Sequence, residues 1–197
     1  FNRGAGSPGR SGFASSSTLN LDAEVALKVS FAEAFRGTER TLSVNDELVQ
    51  VRIPQGVKPG SKLRLKGKGN LQPGTGRRGD LFLNIEVQSH PIWKLDGVHL
   101  KADLPVSLEE IALGCTVKAM TPDGETDIVI PAATPPGRNL RLKGKGWPTS
   151  EGRGDLLLNV HLQLPEKWTS RELQLLNDLQ KERSFNPREN WLQAARL

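Results

Sequence analysis

One stretch of this chain is written twice, 77 residues apart, and a repeat of that length means two copies of one small domain. Val51-Arg-Ile-Pro54 and Pro59-Gly60-Ser-Lys-Leu-Arg-Leu-Lys-Gly-Lys-Gly69 return as Ile128-Val-Ile-Pro131 and Pro136-Gly137-Arg-Asn-Leu-Arg-Leu-Lys-Gly-Lys-Gly146. Gly79-Asp-Leu-Phe-Leu-Asn-Ile85 returns as Gly154-Asp-Leu-Leu-Leu-Asn-Val160, now shifted by 75. The difference of two falls in a Gly/Pro-rich stretch, where a loop tolerates a change of length. Val29-Ser-Phe-Ala-Glu33 with Gly37 matches Val106-Ser-Leu-Glu-Glu110 with Gly114. Solenoid periods run only to about 50 residues, so stacked short units are excluded.

The 197 residues therefore divide into two small cores rather than one large one. The expected boundaries are a Gly/Ser-rich linker over 1–18, a first domain over 19–98, a second over 99–165 and a helical segment over 166–197. The chain opens on Phe1 rather than Met, as a piece of something longer would. Residues 1–18 lack the apolar stretch of a signal peptide, and no run of 18 apolar residues exists to span a membrane. The lone Cys115 excludes an intrachain disulfide and a Cys-rich zinc site, and a free thiol fits a reducing cytoplasm.

Period-two alternation dominates each copy. Val25, Leu27 and Val29 alternate with polar or small residues, as do Leu42 and Val44, then Val49, Val51 and Ile53. Leu81, Leu83, Ile85 and Val87 are answered by Leu156, Leu158, Val160 and Leu162. One face then packs on a core while the other meets solvent, as in antiparallel sheets, and Pro/Gly clusters supply the turns of a sandwich. Ser30-Phe-Ala-Glu33 and Ser107-Leu-Glu-Glu110 are capping boxes that start one short helix per copy. Gly37 and Gly114 end those helices as left-handed C-terminal residues. After Pro165 the period changes: Thr169-Ser-Arg-Glu172 is a third capping box, and Leu173, Leu176 and Leu179, with Leu175 beside them, form a helical stripe. Asn186-Pro187-Arg188-Glu189 begins a further helix, with Asn186 as its cap.

Motifs for chemistry fail on context. Gly74-Thr-Gly-Arg-Arg-Gly79 fits the dinucleotide fingerprint as a string, but a strand follows it where a helix must bind the pyrophosphate. The Lys-Gly-Lys-Gly stretches lack the spacing of a phosphate loop. His90, His99 and His161 have no metal or catalytic spacing, and Asp80 and Asp155 mark turns before strands. No catalytic residue, metal site or cofactor is expected. Lys62, Arg64, Lys66 and Lys68, extended by Arg77 and Arg78, read either as a solvated face guarding a strand or as a surface for an acidic partner. Stacking aromatics are absent there. Val25, Leu27, Leu42, Val44, Leu83 and Ile85 are apolar pairs from three strands, and periodicity alone does not separate core from groove.

Together these motifs resemble the C-terminal substrate-binding region of DnaJ-family co-chaperones. Ile53-Pro54 and Pro59-Gly60 lead into Leu-Arg-Leu-Lys-Gly-Lys-Gly, then come Gly-Asp-Leu and Ser89-His90-Pro91, and the second copy has Pro105-Val-Ser-Leu-Glu-Glu-Ile-Ala-Leu-Gly114. The resemblance covers about residues 19–183. It implies a mainly β chain: two tandem β-sandwich domains, each with one short helix, then a C-terminal helix that makes a homodimer. The family's Cys-x-x-Cys-x-Gly repeats are absent, which places the chain nearer the zinc-free subclass that includes the curved-DNA-binding type. The J domain's His-Pro-Asp is also absent, since His90-Pro91 continues with Ile92, so this chain is expected to bind clients without stimulating ATP hydrolysis.

The resemblance assigns client binding to Val25, Leu27, Leu42, Val44, Leu83 and Ile85, where an extended segment adds to a sheet edge and inserts an apolar side chain. It assigns dimerisation to Leu173, Leu175, Leu176 and Leu179. It implies unfolded polypeptides and a DnaK-type chaperone as partners, a cytoplasmic setting and no membrane. The alternative is nonspecific DNA binding by the basic strands. The second copy counts against it, because seven basic residues there face eight acidic ones.

Overall fold

The computed structural model describes residues 20–45 and 47–195. The expected linker over 1–18 lies outside the described residues. The first copy runs β1 (Ala23–Val29), α1 (Phe31–Arg36), β2 (Thr38–Val44), β3 (Glu47–Ile53), β4 (Lys62–Leu65) and β5 (Leu81–Val87). Next come β6 (Lys94–Asp96), β7 (His99–Val106), α2 (Leu108–Leu113), β8 (Cys115–Thr121), β9 (Gly124–Ile130), β10 (Asn139–Leu142), β11 (Pro148–Thr149), β12 (Gly152–Arg153) and β13 (Leu156–Leu162). Two helices close the chain, α3 (Ser170–Glu182) and α4 (Glu189–Ala194). The chain is mainly β, in several small sheets with few short helices.

Each alternating stretch of sequence is a strand, but one pairing departs from the antiparallel expectation. β5 lies at the centre of a three-stranded sheet, β1-β5-β4, and pairs with β1 in parallel, Val25 opposite Leu83 and Leu27 opposite Ile85. Its other neighbour, β4, is antiparallel. Local periodicity carries no information about strand direction, and the α1–β2–β3–β4 excursion between β1 and β5 supplies the long crossover that a parallel pair needs. β2 and β3 form a separate antiparallel hairpin. The second copy repeats this hairpin as β8 and β9 and has the sheet order β10-β13-β7-β6.

The repeat extends down to single hydrogen bonds. Ala23 N–H donates to the Asp80 carbonyl as Leu100 N–H does to that of Asp155, both at 2.9 Å. Arg64 Nε donates to Asp80 Oδ2 at 2.6 Å while Gly67 N–H donates to Oδ1 at 2.8 Å. Arg141, Gly144 and Asp155 reproduce both distances. The backbone N–H of Gly67, then the Arg64 guanidinium, hold the Asp80 carboxyl below the usual carboxylate range; Gly144 and Arg141 do the same for Asp155. The Leu-Arg-Leu-Lys-Gly motif is thus a clasp, with one carboxylate closing the loop and pairing the arginine.

The capping boxes also form. Ser30 Oγ accepts from Glu33 N–H at 3.3 Å, and Glu33 Oε2 accepts from Ser30 N–H at 2.8 Å. Glu110 Oε2 accepts from Ser107 N–H at 2.8 Å, and Glu172 Oε2 from Thr169 N–H at 2.7 Å. Gly37 (φ 75, ψ 157) and Gly114 (φ 76, ψ 152) end their helices with positive φ but extended ψ, not the expected left-handed geometry. The chain passes straight into a strand there, and only glycine visits this region readily. Asn186 was the expected cap of the last helix. Its Oδ1 accepts from Arg188 N–H at 3.0 Å, but it closes a turn, and the helix begins at Glu189.

By contacts the described chain forms two compact units. One runs to Ala102 and takes in Arg141–Leu157; the other comprises Asp103–Leu140 and the chain from Leu158 onward. Trp147 explains why a second-copy loop belongs to the first unit. It is fully buried, its indole N–H donates to the Gly56 carbonyl at 2.9 Å, and it meets Phe31 and Phe35 edge-on at 5.0 and 5.6 Å. Asn70 holds the equivalent place in the first copy. His90 and His99 are structural: the Nδ1 of His90 accepts from the N–H groups of Ile92 and Trp93, and that of His99 from Asp155 N–H.

Candidate functional site

The edge of β1 away from β5 carries no partner strand among the described residues. Ala23 N–H and the Val29 carbonyl bond toward β5, at 2.9 Å each to Asp80 and Gln88. Because backbone groups alternate sides along a strand, Glu24, Ala26 and Lys28 turn their N–H and C=O groups to the open edge. On the face of β1 that carries Val25, Leu27 and Val29, burial fades along the strand: Val29 is 0 % exposed, Leu27 8 % and Val25 51 %. The sheet is sealed at one end and open at the other.

β2 runs alongside without pairing and is tied at both ends. At its start, Arg40 Nη1 donates to the Lys28 carbonyl at 2.9 Å. Just past its end, Asn45 Nδ2 donates to the Gly69 carbonyl at 3.3 Å, and the next residue, Asn70, donates its N–H to Leu21 ahead of β1. The two strands therefore run antiparallel, with Lys28 at the Arg40 end and Leu21 at the Asn45 end. Leu42 and Val44, both half-buried, lie between the ties on the face that also carries Arg40.

The six residues assigned to client binding separate by depth. Val25, Leu42 and Val44 retain accessible surface, whereas Leu27, Leu83 (1 %) and Ile85 (1 %) are buried. Leu83 and Ile85 are enclosed because β5 is the central strand, flanked on both edges. In the sheet Leu83 lies beside Val25 and Ile85 beside Leu27. Arg40 is the member that sequence patterning missed. The signal was present, since a charge stands at the period-two position shared with Leu42 and Val44, and the repeat replaces it with Val117.

The same edge in the second copy is partly occupied. Leu100 N–H and the Val106 carbonyl bond toward β13, so His99, Lys101, Asp103 and Pro105 turn outward. β6 pairs with His99 and Lys101, and Pro105 has no N–H to offer.

Four of the six expected basic-surface residues have carboxylate partners. Lys62 pairs with Glu24 at 2.9 Å, Lys68 with Glu47 at 2.5 Å, Arg78 with Glu47 at 3.3 Å, and Arg64 with Asp80. Hydrogen bonds from Lys62, then Asn84, hold the Glu24 carboxyl below its ordinary value, and the Lys68 ammonium does the same for Glu47. Lys66 and Arg77 are exposed. On α3, Leu173, Leu175 and Leu179 are exposed and Leu176 half-buried. Leu175, Leu176 and Leu179 face α2 across a cleft of about 450 Å³, lined also by Leu108, Leu113 and Trp168.

The family model described as the DnaJ C terminal domain matches residues 23–165. A DnaJ-like protein of Synechocystis is 40% identical over 179 residues, covering 90% of this chain and 54% of the relative. Chaperone protein DnaJ 2 of Thermus thermophilus is 41% identical over 162 residues, covering 82% and 56%. Chaperone protein DnaJ of Cereibacter sphaeroides is 41% identical over 146 residues, covering 73% and 36%. The chain thus spans about half the length, or less, of these relatives.

Proposed function

Because the chain belongs to the DnaJ C-terminal domain family, we propose that its first copy captures extended apolar stretches of unfolded polypeptides as part of a co-chaperone. One observation carries the reading: the outer edge of β1, which no strand pairs among the described residues and where Glu24 and Ala26 turn backbone groups outward beside an exposed Val25. An added strand bonds there through its backbone whatever its sequence, and Val25, Leu42 and Val44 select for an apolar side chain.

Burying one client Leu or Phe contributes only about 1.5–3 kcal/mol. Capture by one site is therefore weak and reversible, which suits a protein that hands its client to a DnaK-type ATP-dependent chaperone. Pairing two chains through the Leu173, Leu175, Leu176 and Leu179 face of α3 raises avidity without a new contact. The β7 edge, partly covered by β6 and interrupted by Pro105, is less suited to strand addition. The setting is cytoplasmic, where the Cys115 thiol stays reduced.

Val25→Asp tests the site. Val25 is half exposed, so the fold survives, and capture of a chemically unfolded protein weakens about tenfold or more in a fluorescence binding assay. Undiminished capture by the folded variant removes the reading. The DNA-binding alternative has less support, because three carboxylates, Glu24, Glu47 and Asp80, pair with four of the six basic residues it needs.

A further inference from the structure

Arg40 stands at one end of the open edge with all three guanidinium nitrogens engaged. Nε donates to Glu33 Oε1 at 2.9 Å, Nη2 bridges both oxygens at 2.5 and 2.7 Å, and Nη1 donates to the Lys28 carbonyl at 2.9 Å. Glu33 is in turn held by the Ser30 backbone and hydroxyl. A bidentate fork of this kind fixes the guanidinium in position. The helix does not require it. The second copy keeps Ser107 and Glu110, has Val117 in place of Arg40, and still forms α2. What the arginine adds in the first copy is a bond to β1 itself, at an outward carbonyl that a paired strand would use.

We propose that Arg40 is an end stop for the bound client strand, confining its pairing to Glu24–Ala26 and so setting the length and register of the segment accepted. This inference rests on the client-binding reading above. A strand entering from the Leu21 end bonds to Glu24 and Ala26, then meets a carbonyl already satisfied and a guanidinium in its path. Confinement to so short a window places one client side chain beside Val25 and Leu42. The site therefore selects a short extended segment with a single large apolar residue, and extra residues on the Lys28 side add nothing.

The test uses the whole chain and synthetic threonine-rich peptides that carry one leucine and lengthen one residue at a time on the Lys28 side. Affinity is read by fluorescence anisotropy and the binding position by backbone amide shifts of Val25, Ala26 and Lys28. With the native chain, affinity stops rising once the peptide reaches Ala26, and the Lys28 amide is unmoved. Arg40→Met keeps the stem and removes the fork. Its affinity continues to rise, roughly two- to tenfold for each added backbone hydrogen bond, and Lys28 shifts. Glu33→Gln, which retains a capping side chain, moves in the same direction and carries the comparison should Arg40→Met fail to fold.

A length dependence identical in variant and native chains overturns the end stop while leaving the client site standing. Equal loss at every length in a folded variant also overturns it, because Arg40 would then be a direct contact. Peptides that never shift Val25 or Ala26 in the native chain defeat the client reading itself.

Discussion

Among the described residues, Glu33 has the most strongly displaced titration. The Ser30 backbone N–H, then the Arg40 guanidinium, lower its pKa from 4.5 to about 2. A carboxyl whose folded value is depressed stabilises the native state above its unfolded value, and the gain disappears as pH falls through the folded one. The contribution is complete above about pH 4.5 and lost on the way to pH 2. The thermal midpoint of the native chain is expected to fall across that window. Glu33→Gln, already uncharged, should fall less steeply there, and parallel acid limbs would show that the pair contributes nothing. Arg40 shows why residue-scale function was hard to read. Its partners, Glu33 and Lys28, are 7 and 12 positions away. A pattern of alternation does not encode which backbone carbonyl a long side chain reaches.

Elements in the two copies agree where their local chemistry agrees. The capping boxes and alternating strands were legible because each depends on neighbours a few residues apart. The loops before β5 and β13 depend instead on close approach to a distant segment. A Cβ on Gly79 would lie 2.2 Å from the Leu21 carbonyl group, and one on Gly154 would lie 1.7 Å from the Val98 oxygen. Glycine is needed there for space, since backbone atoms cannot swing aside as the end of a flexible side chain can. Gly79→Ala is expected to destabilise the chain by about 1–3 kcal/mol, seen as a lower urea midpoint with unchanged slope. The sequence showed Gly79 as one glycine of a loop; only the packing shows why Ala does not replace it. The β6 strand is similar. Its three residues give no strong pattern, yet they pair with His99–Lys101 at the start of β7.

At the scale of the molecule, the apolar face of α3 needs a cover that the described chain supplies only in part. Leu173, Leu175 and Leu179 are 48 %, 53 % and 60 % exposed, and a helix of this length is marginal without burial. If a second chain covers this face, residues 1–197 have the solution mass of a dimer and a version ending at Pro165 that of a monomer. Equal association states for the two by light scattering would discard the helix as the dimer surface.

The amino-acid order by itself determined the duplication, the strand faces, the N-terminal capping boxes and the family, because each is written in short-range spacing or in the recurrence of a motif. Tertiary structure alone decided that β1 and β5 run parallel and that Trp147 brings a second-copy loop into the first unit. Those outcomes depend on which distant segments meet. Burial and backbone pairing settle that collectively, through contacts that no local period records.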